Sequence, residues 1–254
     1  TVNEMPLILY DRSRVTTDLK CKRARFYGYE AEGRGYSSDI TNLPLYLGTA
    51  THDGLAGIAR GIDIDAIALA ATTQIRETLL ANIMIHDSEA ENFAEEQAAL
   101  VEGMLRGCKK HVWPRMMAEY PEIVKIEEEL IFNHDGMKFM SKPDLIVRDQ
   151  EGCLWYVEYK TTASNKDQWA NSWSTAVQLH SSVRAVEETL GESVTGVIVQ
   201  GLYKGYVSYG KQSSPFCYAY YKPGNPPFTK DEFSTSYKAG FKKFPIWQRP
   251  GGVK

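Results

Sequence analysis

Residues 142–162 read KPDLIVRDQEGCLWYVEYKTT. Two apolar runs flank a short polar turn, and each run carries an acid that a buried strand does not ordinarily hold. Asp144 follows Pro143, and Glu158 stands two residues before Lys160. Such side chains are almost never fully buried unless paired. Two carboxylates held close together repel, so a proton or a cation must sit between them. Hard divalent cations prefer oxygen ligands, and magnesium is commonly held by one or two carboxylates with waters and substrate phosphate. A lysine beside such an ion can position water or stabilise negative charge building up on phosphorus. These residue types in this order fit metal-assisted hydrolysis of a phosphodiester.

The chemistry requires the acids to meet, and the turn decides whether they do. A three-residue hairpin loop favours a type I turn followed by a left-handed residue, for which glycine is suited. Gln150, Glu151 and Gly152 match that loop. Asp149 then faces Cys153, Asp144 faces Glu158, and Lys142 faces Lys160. Opposed residues share a side of the sheet with Cβ atoms roughly 4.5–5.5 Å apart, and Glu158 and Lys160 share a face because side chains alternate. Trp155, Val157 and Tyr159 point the other way, toward a core. A two-residue turn would slip the register by one and separate the acids.

Around this hairpin the chain divides into a helical N-terminal half and a strand-rich remainder. Residues 12–30 read as helix, with Val15, Leu19 and Phe26 near helical spacing and Ser13 or Thr16 as a cap. The basic cluster Lys20, Lys22, Arg23 and Arg25 lies just before Phe26, Tyr27 and Tyr29. It reads equally as a solvated face with a buried aromatic edge or as a phosphate-facing patch. Residues 31–47 read as loop, 49–60 as a helix opened by threonines and closed by Gly61, and 63–84 and 88–119 as helices. From residue 122 branched and aromatic residues alternate with short turns, which predicts an antiparallel meander. The acids Glu127, Glu128 and Glu129 read as the solvated end of a strand, although any of them is chemically able to add a ligand. His134 reads as a turn residue. DQWANSWSTAVQLHSSVRAVEETLG, 167–191, reads as a helix ending at Gly191, followed by the apolar strand VTGVIVQGLYKG and a further strand at PFCYAYYK. Trp169, Trp173 and Tyr203 read as core aromatics that are also able to stack bases. The order of elements predicts an α/β or α+β sandwich with a mixed sheet covered by helices.

Composition sets outer bounds. The chain has 254 residues, 43% hydrophobic and 24% charged, with a formal net charge of −3. That length allows a substantial core. We expect one domain over 1–254, with a mainly helical part at 1–120, a sheet core at 121–222 and an extension at 223–254. The charge balance does not announce a nucleic-acid binder, but a local basic groove is enough for one. No apolar run is long enough to span a bilayer, and no basic region precedes the first apolar patch, so a cytoplasmic protein is expected. Cys21, Cys108, Cys153 and Cys217 are scattered. They signal neither a disulfide framework nor a zinc site and read as buried thiols.

The sequence KPDLIV followed by YVEYKTT resembles the core motif of the PD-(D/E)xK nucleases. More closely it is similar to their RecB-like branch, which includes CRISPR adaptation exonucleases and nuclease domains of bacterial recombination enzymes. GTATHDGL at 48–55 is similar to the branch's histidine motif, SRVTTDLKCKRARFY at 13–27 to its N-terminal segment, and AVQLHSSVRAVEETLG at 176–191 to the helix bearing a QxxxY motif. The resemblance covers most of residues 12–205. It implies a restriction-endonuclease-like α/β core whose mixed central sheet is flanked by helices. It also implies a magnesium or manganese ion on His52, Asp144, Glu158 and the Tyr159 carbonyl. Asp144, Glu158 and Lys160 would be catalytic, with Lys160 orienting the attacking water. Gln178 would hold Lys160 or a phosphate, and Lys22 and Arg23 would face nucleic acid. The implied role is a DNA exonuclease in recombination, repair or phage DNA processing, with a helicase or recombinase partner, in a bacterium, an archaeon or a phage-infected host.

Two departures stand out. Ser182 occupies the place of the QxxxY tyrosine. Many relatives carry an iron–sulfur cluster on one N-terminal and three C-terminal cysteines, whereas here Cys21 is joined only by Cys217; no cluster is expected. A non-catalytic nucleic-acid-binding or assembly protein on the same scaffold is the alternative, and RNA is an alternative substrate.

Overall fold

Asp149 builds the turn on which the register depends. Its carboxylate accepts the N–H groups of Glu151 (3.1 Å) and Cys153 (2.8 Å) and the indole N–H of Trp155 (2.8 Å). Its own N–H donates to the Cys153 carbonyl at 3.1 Å, and Gly152 takes a φ of +79°. The loop therefore has the expected three residues. Strands β5 (Leu145–Arg148) and β6 (Leu154–Thr162) pair with Leu145 opposite Val157 and Arg148 opposite Leu154. The ladder ends at the Leu145–Val157 pair, so Asp144 lies one residue before the first paired position and the expected Lys142–Lys160 pair does not form. Lys142 instead pairs with Glu127.

The computed structural model describes residues 9–31, 35–36, 42–81, 88–162, 176–203, 207–208, 220–221 and 242–248. Short strand β1 (Leu9–Tyr10) leads into helices α1 (Arg12–Lys20) and α2 (Lys22–Arg25) and a π-helical turn at Phe26–Glu30. Asp11, rather than Ser13 or Thr16, caps α1, accepting the Arg14 N–H at 2.8 Å. Helices α3 (Leu43–Ala59), α4 (Ile64–Ala81), α5 (Ser88–Gly107) and α6 (Trp113–Glu119) form the helical half. A second π-helical turn, Cys108–Val112, joins the last two. Helix α3 starts earlier than the threonines suggest. Asn42 caps it by accepting the Leu45 N–H, and Pro44 lies in its first turn. A proline there loses no intrahelical bond.

Strands β2 (Glu122–Ile126), β3 (Leu130–His134) and β4 (Met137–Ser141) precede β5, and helix α7 (Val177–Leu190) leads to β7 (Val194–Tyr203). Two-residue strands β8 (Val207–Ser208) and β9 (Tyr220–Tyr221) pair with each other, and β10 is Lys242–Gln248. The central sheet has the order β10-β7-β6-β5-β2, with β6 and β7 parallel and the other pairs antiparallel. The extension at 223–254 thus supplies an edge strand, and its bulge beside Pro245 suits an edge position.

The expected single meander is split between two sheets. Strands β3 and β4 pair in a smaller sheet of order β1-β4-β3, while β2 skips them to pair with β5. The chain leaves the central sheet after Ile126 and returns at Leu145. Both crossings carry acids, Glu127 on the way out and Asp144 on the way back.

Each face of the central sheet has its own core. Leu145, Val147, Trp155, Val157 and Tyr159 pack with Leu55, Ile58, Val101, Met104 and Leu105 from α3 and α5. Ile146, Leu154 and Tyr156 pack with Leu179, Ala185 and Val186 of α7 and Leu130 and Phe132 of β3. Alternation along β6 thus sends odd residues to the α3–α5 side and even residues to the α7 side. Helix α3 reaches the sheet because Gly54 lets it approach α5; a Cβ there would lie 2.5 Å from Leu105 Cδ2. Trp169, Trp173 and Cys217, like the Tyr203 side chain, lie outside the described residues.

Gly152→Ala should cost about 1 kcal/mol of stability, because a Cβ is disfavoured at positive φ. Denaturant unfolding measures the cost. No change would mean that the turn accepts another conformation.

Candidate active site

The end of the central sheet beside Asp144 gathers two groups of polar side chains. The first comprises His52 from α3, Glu127 from the end of β2 and Asp144 from the approach to β5. Their ligand atoms all lie within 4.8 Å of one another. His52 Nδ1 is 3.0 Å from Asp144 Oδ1 and 3.7 Å from Glu127 Oε1. Lys142 closes the outer side, with Nζ 2.6 Å from Glu127 Oε2.

Local structure explains how Glu127 arrives there. Strand β2 shifts register between Ile123 and Lys125, and bulges of this kind re-aim the residues that follow. Glu127 then takes a φ of +51°, sparsely populated for a residue with a Cβ. Its N–H donates to the Asp144 carbonyl at 3.0 Å, tying the two sheet crossings together. Glu128 and Glu129 are exposed, as a solvated strand end should be, and Glu128 pairs with Lys125. Glu127 is the exception, and the sequence holds no signal that separates it from its two neighbours.

The second group surrounds Glu158, which is completely buried. Its carboxylate accepts hydrogen bonds from the Tyr156 hydroxyl, Lys160 Nζ and Gln178 Nε2. Burial, followed by the nearby Asp144 charge, pushes the Glu158 carboxyl up, and Lys160 and Tyr156 offset part of that shift. The alternation that placed Glu158 and Lys160 on one face holds, since both point to the α7 side. Gln178, in the first turn of α7, bonds Glu158 rather than Lys160, and its Oε1 accepts from Arg12 of α1.

Asp144 links the groups. While Oδ1 meets His52, Oδ2 accepts the main-chain N–H of Tyr159 at 2.6 Å. The Tyr159 ring points into the α3–α5 core, where its hydroxyl donates to Met116 Sδ at 3.3 Å. Tyr156 escaped the sequence reading because an apolar strand makes a tyrosine look like core. The signal was its position two residues before Glu158, hence on the same face. It also interacts with Ser182, whose hydroxyl lies 2.8 Å from that of Ser141. A tyrosine hydroxyl from β6 thus lies beside the serine that stands where the QxxxY tyrosine would be.

The remaining expected residues lie apart. Lys22 and Arg23 are exposed on α2, and Arg23 stacks over the Tyr27 ring at 5.8 Å. Cys21 is exposed at the α1–α2 joint, not buried. Cys108 is buried, which pushes its thiol up to about 12. His134 ends β3 rather than lying in the turn; the turn is Asp135–Gly136, both with positive φ, as a type I′ turn requires.

The donors of the first group suit a divalent cation. Two carboxylates and one imidazole nitrogen match manganese well, and magnesium through the oxygens. Burial by itself lowers the His52 imidazole, but the hydrogen bonds to Asp144 and Glu127 outweigh it and raise it to about 9.

An α/β core with a mixed sheet flanked by helices, with a histidine, acids and a lysine at one end of it, fits a restriction-endonuclease-like fold. Residues 12–230 match the PD-(D/E)XK nuclease superfamily, and the chain belongs to it. Members of this superfamily generally depend on a divalent metal and act on nucleic acid. Comparison with curated proteins finds no match. No helix among the described residues is long and apolar enough to cross a membrane.

Glu127→Ala should weaken manganese binding by at least about tenfold, the scale on which even outer partners of a metal site act. Glu128→Ala should leave it unchanged. Calorimetric titration of both variants separates ligand from bystander, and equal behaviour would remove Glu127 from the site. Tyr156→Phe should cost roughly 1–3 kcal/mol by denaturant unfolding, because a buried carboxylate loses a donor.

Proposed function

We propose that this protein is a divalent-metal-dependent deoxyribonuclease, an exonuclease of recombination, repair or phage DNA processing, carried by a single domain. The observation that carries the reading is the convergence of His52, Glu127 and Asp144 beside the Glu158–Lys160 pair. In this reading His52, Glu127 and Asp144 hold the cation, and Glu158 and the Tyr159 carbonyl complete its donors. When bound, a divalent ion neutralises phosphate charge and makes water more acidic.

The protein's own groups do the positioning. Tyr156 and Gln178 hold the buried Glu158 carboxylate, and Glu158 in turn fixes Lys160. A restrained ammonium costs little reorganisation when negative charge develops on the phosphate. Lys160 thus orients the attacking water and stabilises that charge. The Tyr159 N–H holds the second Asp144 oxygen, which leaves Oδ1 facing His52. Magnesium and manganese both fit the oxygen donors, and the imidazole tips the balance toward manganese. The RecB-like likeness and a helicase or recombinase partner belong to the same proposal. Their support lies in the motif order around His52, Asp144, Glu158, Lys160 and Gln178.

The test uses end-labelled linear and closed circular DNA with magnesium, manganese or EDTA. Linear DNA should be degraded with metal and spared with EDTA, and closed circles should survive. Lys160→Ala should slow cleavage by about 10²–10³-fold, the scale of one lost electrostatic donor. Equal rates for wild type and variant would overturn the assignment of Lys160. DNA binding without any cleavage would favour the non-catalytic scaffold.

A further inference from the structure

We propose that the N-terminal helical segment, residues 12–31 together with Tyr36, is a ledge that binds single-stranded DNA by stacking bases on Phe26, Tyr27 and Tyr36. This deepens the nuclease reading and rests on it. Neither α1, α2 nor the π-helical turn contains a buried residue. Phe26, Tyr27 and Tyr36 are 48%, 43% and 57% exposed, so Phe26 and Tyr27 do not form the buried aromatic edge that is one of the two readings of this cluster.

These rings are nevertheless held in place. The Tyr36 N–H donates to the Tyr27 carbonyl and the Gly35 N–H to the Ala31 carbonyl, both at 2.7 Å. The Tyr27 and Tyr36 rings stack with centroids 6.3 Å apart, and Phe26 meets Tyr27 edge-on at 5.4 Å. Arg25 braces the segment through Asp18 and Glu30. Fixing exposed rings in advance lowers the entropy lost when a ligand stacks on them.

Charge selects the occupant. Residues 12–30 hold six basic and two acidic side chains in a chain of net charge −3. Lys20, Lys22 and Arg23 are exposed, and Arg23 lies over the Tyr27 ring. Protein interfaces are depleted of lysine, whereas an aromatic platform in a cationic groove is the pattern for single strands. A duplex hides its base faces except at its ends, so stacking favours the single strand. The ledge is also rooted at the site: Arg12 opens α1 and donates to Gln178, which donates to Glu158. Helix α1 rises about 13 Å from that root.

The experiment measures fluorescence anisotropy of a labelled oligo-dT, its oligo-rU counterpart and a blunt hairpin duplex in EDTA, where no turnover is needed. Wild type should bind dT more tightly than the hairpin. The combined Phe26→Ala, Tyr27→Ala, Tyr36→Ala variant should lose at least about tenfold on dT and under about twofold on the hairpin, given the strength of base–aromatic stacking. Phe26→Trp, which keeps a ring in place, should show tryptophan quenching on adding dT. Equal losses on both ligands, no loss on dT, or no quenching would overturn the ledge. Tighter binding of rU than dT would overturn its assignment to DNA. Failure of the nuclease reading would appear separately, as absent cleavage by wild type with manganese.

Discussion

Asp144 holds three parts of the molecule in one place. Its carbonyl accepts from Glu127, one carboxylate oxygen meets His52, and the other accepts from Tyr159. These contacts join the two sheet crossings, the helical half and the central strand β6. Since Asp144 is nearly buried, each contact also replaces water that the carboxylate has given up. The sheet could pair without this residue, but the histidine, the second acid and the strand end would have nothing in common to face.

Glu158 imposes the opposite requirement. A carboxylate with no exposure needs partners from every direction, and three side chains provide them. Two come from its own strand at positions two before and two after, which alternation places on its face. The third, Gln178, comes from α7, whose position depends on the parallel pairing of β6 with β7. The acid therefore couples the packing of α7 to the placement of Lys160. Arg12 extends this network to the N-terminal helices, none of whose residues is fully buried.

Much of this was legible because it is local. The loop Gln150–Gly152 sets the hairpin register by turn chemistry, and alternation along β6 assigns Glu158 and Lys160 to one face and Tyr159 to the other. Helical periodicity places α4, α5 and the Gly191 end of α7 well, while end effects mislead: α7 begins only at Val177, and Pro44 reads as a loop residue although the first turn of a helix tolerates it. The meander reads as continuous because each strand and turn is regular by itself. Nothing local reports that β2 pairs with β5 and leaves β3 and β4 to another sheet.

The sequence by itself determined the hairpin, the likeness to a nuclease family and the placing of Glu158 and Lys160 on one face of β6, because turn residues and period-two alternation act over a few positions. Tertiary structure alone decided that Glu127 rather than Glu128 or Glu129 meets His52, and that Tyr156 and Gln178 hold Glu158. It also decided that Phe26 and Tyr27 face solvent. Those outcomes depend on a bulge, a sheet crossing and a helix docking, which bring together residues far apart in the chain.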